Sequence, residues 1–245
     1  MLTQDDYDFL SGPFGRIDGW CIADAAALTM YMQRHQALRG VNGRSVEIGV
    51  YKGKYLSVLR RGALLAGESV LALDTYEWAP MDFVKEHMSA ALGSTNGIRF
   101  HQADSSKLQA AQFRDLIGGR PSWISVDGAH TPGGVEHDLM LAEAVLAPAG
   151  IIAIDDFPNV QAIGVLEGVF RHWLRTETKL RPFCLSANKL LVCFEEFVDE
   201  YGSAIPNFCE ANKDLPAVKQ HIWLRDQKGL PYVHQELLGR KIWIV

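Results

Sequence analysis

Three carboxylates set the chemistry open to this chain. Asp127 follows the apolar run Trp123-Ile-Ser-Val, and Asp155 and Asp156 follow Gly150-Ile-Ile-Ala-Ile. Short apolar runs of this kind read as strands covered on both faces. In an open parallel sheet the carboxyl ends of the strands line one edge, and ligands bind there. Asp127, Asp155 and Asp156 are therefore expected to converge. Without a cation they would repel one another. A hard, oxygen-liganded ion such as Mg²⁺ relieves this and keeps positions open for water or substrate oxygens. Adjacent strand residues point to opposite faces, so Asp155 and Asp156 can share an ion only if the strand has already ended. Phe157-Pro158 favours that ending. His130 stands three residues after Asp127. An imidazole titrating near neutrality suits the removal of a hydroxyl proton; the other reading is a helix-entry histidine that hydrogen-bonds its own loop. Cysteine and histidine are too sparse here for a zinc cage.

A second constellation precedes these. Ser45-Val-Glu-Ile reads as a buried strand, Gly49 and Gly53 as a turn, and Tyr55, Leu56, Val58, Leu59, Ala63 and Leu64 as a helix face. Strand, glycine turn and helix open a nucleotide-type α/β site. The Gly-x-Gly-x-x-Gly spacing of a dinucleotide site is absent, and no Lys-Ser or Lys-Thr follows Gly53, which excludes a P-loop. Glu47, two residues before Gly49, would repel a phosphate and suit a ligand carrying an ammonium group. The next strand, Ser69-Val-Leu-Ala-Leu-Asp74, ends on a carboxylate placed to take ribose hydroxyls, or to cap a following helix. A third, Ile98-Arg-Phe-His-Gln-Ala, ends at Asp104-Ser105-Ser106, which is also a good helix cap; the two uses are compatible.

Glu47-x-Gly49-x-x-x-Gly53 followed by Asp74 resembles the class I S-adenosylmethionine (SAM)-dependent methyltransferases. That resemblance implies a Rossmann-like, doubly wound, mostly parallel sheet. It implies SAM held by Glu47, Gly49, Tyr51, Gly53, Tyr55, Asp74, Asp104 and Ser105. The later residues are similar to the metal-dependent O-methyltransferases, and most closely to the macrolide and aminocoumarin sugar O-methyltransferases. They are Asp127-Gly-Ala-His130, Gly134-Val135, Asp138-Leu139, Pro148-Ala-Gly150 and Asp155-Asp156. The resemblance implies Mg²⁺ or another divalent ion on Asp127, Asp155 and Asp156, with His130 as base. Ala129 stands where some relatives carry an acidic residue, so that residue's role cannot fall there. Thr131-Pro132 replaces the usual aromatic. The implied activity is methylation of a hydroxyl on a small molecule or sugar with vicinal oxygens. The alternatives are a metal-independent N- or O-methyltransferase and a SAM-binding accessory protein without turnover.

These residues need an alternating scaffold, and the sequence supplies one from 45 to 156, with helices expected near 54–66, 80–92, 107–118 and 133–146. Ala23 to Leu38 reads as an amphipathic helix with Ala27, Leu28, Tyr31 and Met32 inward, over the cofactor site or a subunit contact. A helix over 160–175 would bury Ile163, Leu166, Phe170 and Trp173. Strands 182–186 and 189–194 would complete the sheet. The expected division is an N-terminal helical extension 1–43, the SAM-binding domain 44–199 and a C-terminal extension 200–245 packing on it. The extension holds Tyr201, Pro206, Trp223, Pro231, Tyr232 and Trp243, and Lys241-Ile-Trp-Ile-Val245 reads as a strand. At 245 residues and 48% apolar content, one α/β domain with elaborations is expected. The formal charge of −5 and the lack of a basic stripe argue against a nucleic-acid partner. Four scattered cysteines and an acidic N-terminus without a signal peptide point to a reduced, cytoplasmic protein. No apolar run approaches the roughly 20 residues that span a membrane. A homo-oligomer stays open.

Overall fold

A computed structural model describes residues 1–175, 177–226 and 234–245. The chain opens with helices α1 (Gln4–Ser11), α2 (Pro13–Arg16) and α3 (Ala23–Leu38). Then β1 (Ser45–Ile48), α4 (Lys54–Leu65), β2 (Val70–Asp74), α5 (Met81–Leu92), β3 (Ile98–Gln102), α6 (Ala110–Ile117), β4 (Trp123–Val126), α7 (Pro132–Val145) and β5 (Ile151–Ile154) alternate. α8 (Ile163–Arg175) leads into the hairpin β6 (Leu180–Ser186) and β7 (Lys189–Phe194). The tail contributes α9 (Val198–Ala211), α10 (Pro216–Asp226), β8 (His234–Leu237) and β9 (Arg240–Ile244).

The described strands form one sheet in the order β3-β2-β1-β4-β5-β7-β6-β9-β8. β1 to β5 pair in parallel, and β7 runs antiparallel to both β5 and β6. This is the expected doubly wound, mostly parallel α/β architecture. The sheet goes further than expected. β9 adds in parallel to β6, and β8 closes the edge. Pro231 and Tyr232 lie outside the described residues.

Every residue of β1, β4 and β5 is buried, because both faces are covered. One face carries Val70, Ala72, Trp123, Ile151, Ala153, Leu191 and Cys193 beneath α3, α4 and α9. The other carries Val46, Ile48, Leu71, Leu73, Ile124, Val126, Ile152 and Ile154 beneath α6, α7 and α8.

Two helix faces differ from expectation. α3 is buried almost all round, from Asp24 to Gln33 and at Gln36, rather than on one stripe. It is wedged between α4 and the tail helix α9, with Tyr31 edge-on to Phe208 at 5.3 Å. α8 buries Val165, Gly168, Val169 and His172, while Ile163 is 64% exposed. Leu166 and Trp173 are half-buried against the core, as expected. Gly168 explains the rotation: a Cβ there would meet the Val135 Cβ at 2.6 Å. α7 and α8 therefore approach through the glycine, which turns Ile163 outward.

Candidate active site

The site begins where β1 stops. Gly49 has φ +85°, and its N–H donates to the Leu73 carbonyl at 2.9 Å. A Cβ at Gly49 would lie 1.8 Å from the carbonyl oxygen of Asp127. Only glycine lets the exit of β1 pack directly on the exit of β4. Gly53, at φ +86°, then starts α4. Between them, the carboxylate of Asp74 organises the turn. Its Oδ2 accepts the N–H groups of Val50 (2.5 Å) and Tyr51 (3.0 Å), and its Oδ1 accepts that of Tyr76 (2.6 Å). Tyr51 sits at φ +48°, and its ring stacks on Trp20 with centroids 4.9 Å apart and planes 4° apart. Trp20 is 83% exposed.

Glu47 points beneath this turn and is 1% exposed; among the described residues its Oε2 has no hydrogen-bond partner. Burial, reinforced by the charge of Asp127, pushes its carboxyl well above the usual range. Tyr55 lies in the core, away from the exposed side of the turn. Its hydroxyl pairs with Thr29 Oγ1 at 3.0 Å, and its ring lies 4.1 Å from the ammonium of Lys189. Asp104 caps the turn after β3: its Oδ1 accepts the Ser106 N–H (3.0 Å) and Oγ–H (2.6 Å). The Ser106 bonds and Lys107 hold it below the usual carboxylate range. The Ser105 carbonyl lies 3.1 Å from His137 Nε2. The cap geometry of Asp104 and Ser105 is thus what the chain itself displays.

The acidic strand ends converge, but not symmetrically. β5 ends at Ile154, before Asp155, as the sharing of an ion required. Asp156 has φ +57°. Its Oδ1 accepts the side-chain amides of Asn159 (2.8 Å) and Asn188 (2.9 Å), and its Oδ2 lies 3.3 Å from His130 Nε2. The same Nε2 is 3.6 Å from Asp127 Oδ1. Asp127, His130 and Asp156 thus offer three donor atoms within 4.8 Å of one another. Asp155 stays beside Asp127 but is paired differently: its Oδ2 takes Lys189 Nζ at 2.6 Å and its Oδ1 takes the Asp156 N–H at 2.9 Å.

The charges follow this split. Burial and the neighbouring charge of Asp155 raise Asp127. Burial pushes Asp155 the same way, but the Lys189 ammonium overrides it and holds Asp155 ionised below the usual range. Burial disfavours the Lys189 charge, yet Asp155 and its neighbours raise it above the ordinary lysine value. The contact with Asp127 raises His130, against partial burial.

Four residues of the site were given no role from the sequence: Lys189, Asn188, Asn159 and Trp20. Lys189 carried a signal. A lysine opening the apolar run Lys-Leu-Leu-Val-Cys must be buried with its strand, and lysine is almost never buried unless paired.

Residues 46–157 match the family described as "Methyltransferase domain". The chain carries a methyltransferase domain. Its match spans β1 to the end of the acidic cluster, the stretch that holds both constellations. No curated protein matches the sequence at a significant level. Solved structures similar to this methyltransferase include the O-methyltransferase NovP, at 12% identity and TM-score 0.59, with 71% of this chain and 81% of that chain covered. CalS11, a TDP-rhamnose 3'-O-methyltransferase of calicheamicin biosynthesis, matches at 16% identity and TM-score 0.55, over 69% and 79%. TomG from Streptomyces achromogenes, an O-methyltransferase involved in tomaymycin synthesis and solved with SAM, matches at 14% and 0.55, over 79% and 91%. At these identities the likeness is one of fold. Among the described residues, no helix is long and apolar enough to cross a membrane.

Proposed function

We propose that this methyltransferase moves the methyl group of SAM to a hydroxyl of a small molecule or sugar bearing vicinal oxygens, with a divalent cation at the acidic cluster. The observation that carries this is the meeting of Asp127, His130 and Asp156 on the sheet edge that also holds the glycine turn. The donor atoms fit a hard divalent ion: two carboxylate oxygens, each beside an imidazole nitrogen. Asp127 and Asp156 would hold it, and when bound it supplies positive charge that lowers the pKa of an acceptor hydroxyl.

The chain's own residues do the rest. The backbone of the 49–53 turn, shaped by Asp74, receives the nucleoside and amino-acid ends of SAM. Glu47 offers a carboxyl beneath the turn, whose ionised form an arriving ammonium group would favour, and Asp74, Asp104 and Ser105 face the ribose and adenine. Tyr51 walls the turn, and Tyr55 supports it from below through Lys189. His130 accepts the acceptor's proton, and the freed oxygen attacks the methyl in line as its bond to sulfur breaks and S-adenosylhomocysteine leaves. The unit that does this is residues 44–199, with 1–43 and 200–245 packed on it, in the cytoplasm. A sugar acceptor is favoured by the likeness to CalS11, whose acceptor is TDP-rhamnose.

The test is methyl transfer from labelled SAM to a panel of catechols and nucleotide sugars, run with and without EDTA. Transfer that stops on chelation and returns with Mg²⁺ or Mn²⁺ is expected. Transfer indifferent to EDTA would move the reading to a metal-independent methyltransferase. SAM binding without transfer to any acceptor would favour a binding protein.

A further inference from the structure

Asp138 is a buried carboxyl that no step of the proposed reaction uses. It stands on the second turn of α7, 1% exposed, and neither of its oxygens has a well-formed hydrogen bond among the described residues. A buried carboxyl in that state is a liability to a fold, so what lies against it matters. It is wedged between two strand exits. On one side is Gly128, where a Cβ would lie 2.7 Å from Asp138 Oδ2 and 3.3 Å from Ile48 Cγ2. On the other is the turn after β3, where the Ser105 hydroxyl reaches the carboxyl. His137, the residue before it, grips the same turn: its Nε2 lies 3.1 Å from the carbonyl oxygens of Ser105 and of Leu108. Asp104 takes the Ser106 N–H and hydroxyl. His137 thus holds the backbone of the turn and Asp104 holds Ser106, which leaves the Ser105 hydroxyl to Asp138.

We propose that Asp138 is a positioning residue that fixes the hydrogen-bond polarity of Ser105, and so makes the cofactor pocket select an aminopurine. This rests on the reading above that Ser105 faces the adenine. A serine hydroxyl has one proton to give and lone pairs to receive with. An ionised Asp138 only accepts, so the Ser105 proton goes to it and the hydroxyl turns its lone pairs to the ligand. Those lone pairs accept from the amino group of adenine. They oppose the carbonyl oxygen that hypoxanthine carries at the same position. Without Asp138 the hydroxyl can rotate and donate to that oxygen, and the two bases become alike at this contact.

The experiment is calorimetric binding of S-adenosylhomocysteine and of its deaminated analogue, S-inosylhomocysteine, to the full chain in mildly alkaline buffer, above the Asp138 pKa of about 6. The parent should favour the adenosyl ligand by about tenfold or more, the size of one well-directed hydrogen bond. Asp138→Leu keeps the shape and removes the acceptor; it should shrink the preference to about threefold or less. Asp138→Asn, whose amide oxygen still accepts, should keep most of it. Ser105→Ala should shrink it as Asp138→Leu does. The double variant should go no further than either single change, because Asp138 acts through Ser105. Melting curves identify the folded variants. A folded Asp138→Leu chain with the parent's preference, or a double variant that adds the two losses, overturns the proposal. If Ser105→Ala removes the preference and Asp138→Leu does not, the adenine reading stands and the proposal fails. If the parent shows no preference and Ser105→Ala changes neither affinity, both fail. Should Asp138→Leu not fold, a structure of the parent with S-adenosylhomocysteine decides the point. Ser105 Oγ should bridge Asp138 and the adenine amino group; a hydroxyl turned away from Asp138 overturns the assignment.

Discussion

The carboxylate of Asp74 accepts the Val50 N–H at 2.5 Å, tying the end of β2 to the turn that follows β1. With Tyr51 and Tyr76 also bound to it, Asp74 shapes the turn before any ligand arrives. Hydrogen bonds to a charged group are worth about 1.5–3 kcal/mol each. Asp74→Ala should therefore weaken SAM binding by at least about tenfold, the equivalent of 1.4 kcal/mol. Asp74→Asn should weaken it too, because an amide replaces an acceptor oxygen with a donor facing N–H groups. Calorimetry showing unchanged SAM affinity in Asp74→Ala, or tight NAD binding by the parent, would overturn the assignment of the turn.

His130 should carry the pH dependence of turnover. It must be neutral to accept a proton, so the rate rises as pH passes its pKa. Without a cation, contact with Asp127 raises that pKa, helped by Asp156 and Asp155; a divalent ion on those carboxylates offsets the shift, so adding Mg²⁺ should move the ascending limb to lower pH. His130→Ala should lose about 10²–10⁴ in rate and lose the limb. A variant with the parent's pH profile would return His130 to a loop-holding role.

Asp138 offers a stability test. It is buried on α7, and neither carboxylate oxygen finds a hydrogen-bond partner of good geometry among the described residues. Burial raises its pKa from 3.8 to about 6, and Ser105 and His137 pull it back only in part. The native chain therefore holds a proton that the unfolded chain releases between these values. Stability should fall as pH climbs through that window and stay reduced above it. Asp138→Asn should raise stability by about 1–3 kcal/mol at pH near 7.5 and by less at pH near 5. Melting curves at the two pH values check this. A variant less stable at the higher pH would mean that the ionised carboxylate is in use.

Ending the chain at residue 199 should prevent folding. Tyr201, Ile205 and Phe208 are fully buried in the core cluster that contains Met30 and Trp123. Tyr201 also bonds the Ala149 carbonyl and receives the Gln36 amide. Each such side chain is worth about 1.5–3 kcal/mol, against a typical net stability of about 5–15 kcal/mol. Size-exclusion chromatography should show aggregated material. A monodisperse 1–199 chain that binds SAM would make the tail an accessory to an independent domain.

The strands at 70–74, 123–126 and 151–154 were legible because burial on both faces leaves nearly unbroken apolar runs, each closed by a carboxylate, whereas 45–48 carries Glu47 and 98–102 is partly exposed. The helices between them followed from spacing. The tail was less legible. Pro206 lies inside α9, where a proline argues against a helix, and its aromatic residues have no simple period. The outward turn of Ile163 depends on Gly168 meeting Val135 on another helix, which no local pattern encodes. In the site, the types and strand-end positions of Asp127, His130 and Asp156 were readable. The split between Asp155 and Asp156 was not, because it is imposed by Asn159, Asn188 and Lys189, and two of these come from the distant β6–β7 hairpin.

Trp20 lies flat on Tyr51, and Tyr51 belongs to the turn proposed to receive SAM. The chain has six tryptophans, and Trp123 is sealed in the core. Trp20 is thus a built-in optical reporter. A ligand that shifts the turn changes the stacking, and with it the emission of an indole otherwise open to solvent. Cofactor arrival could be followed in real time without a label, and a Trp20→Phe chain would supply the blank.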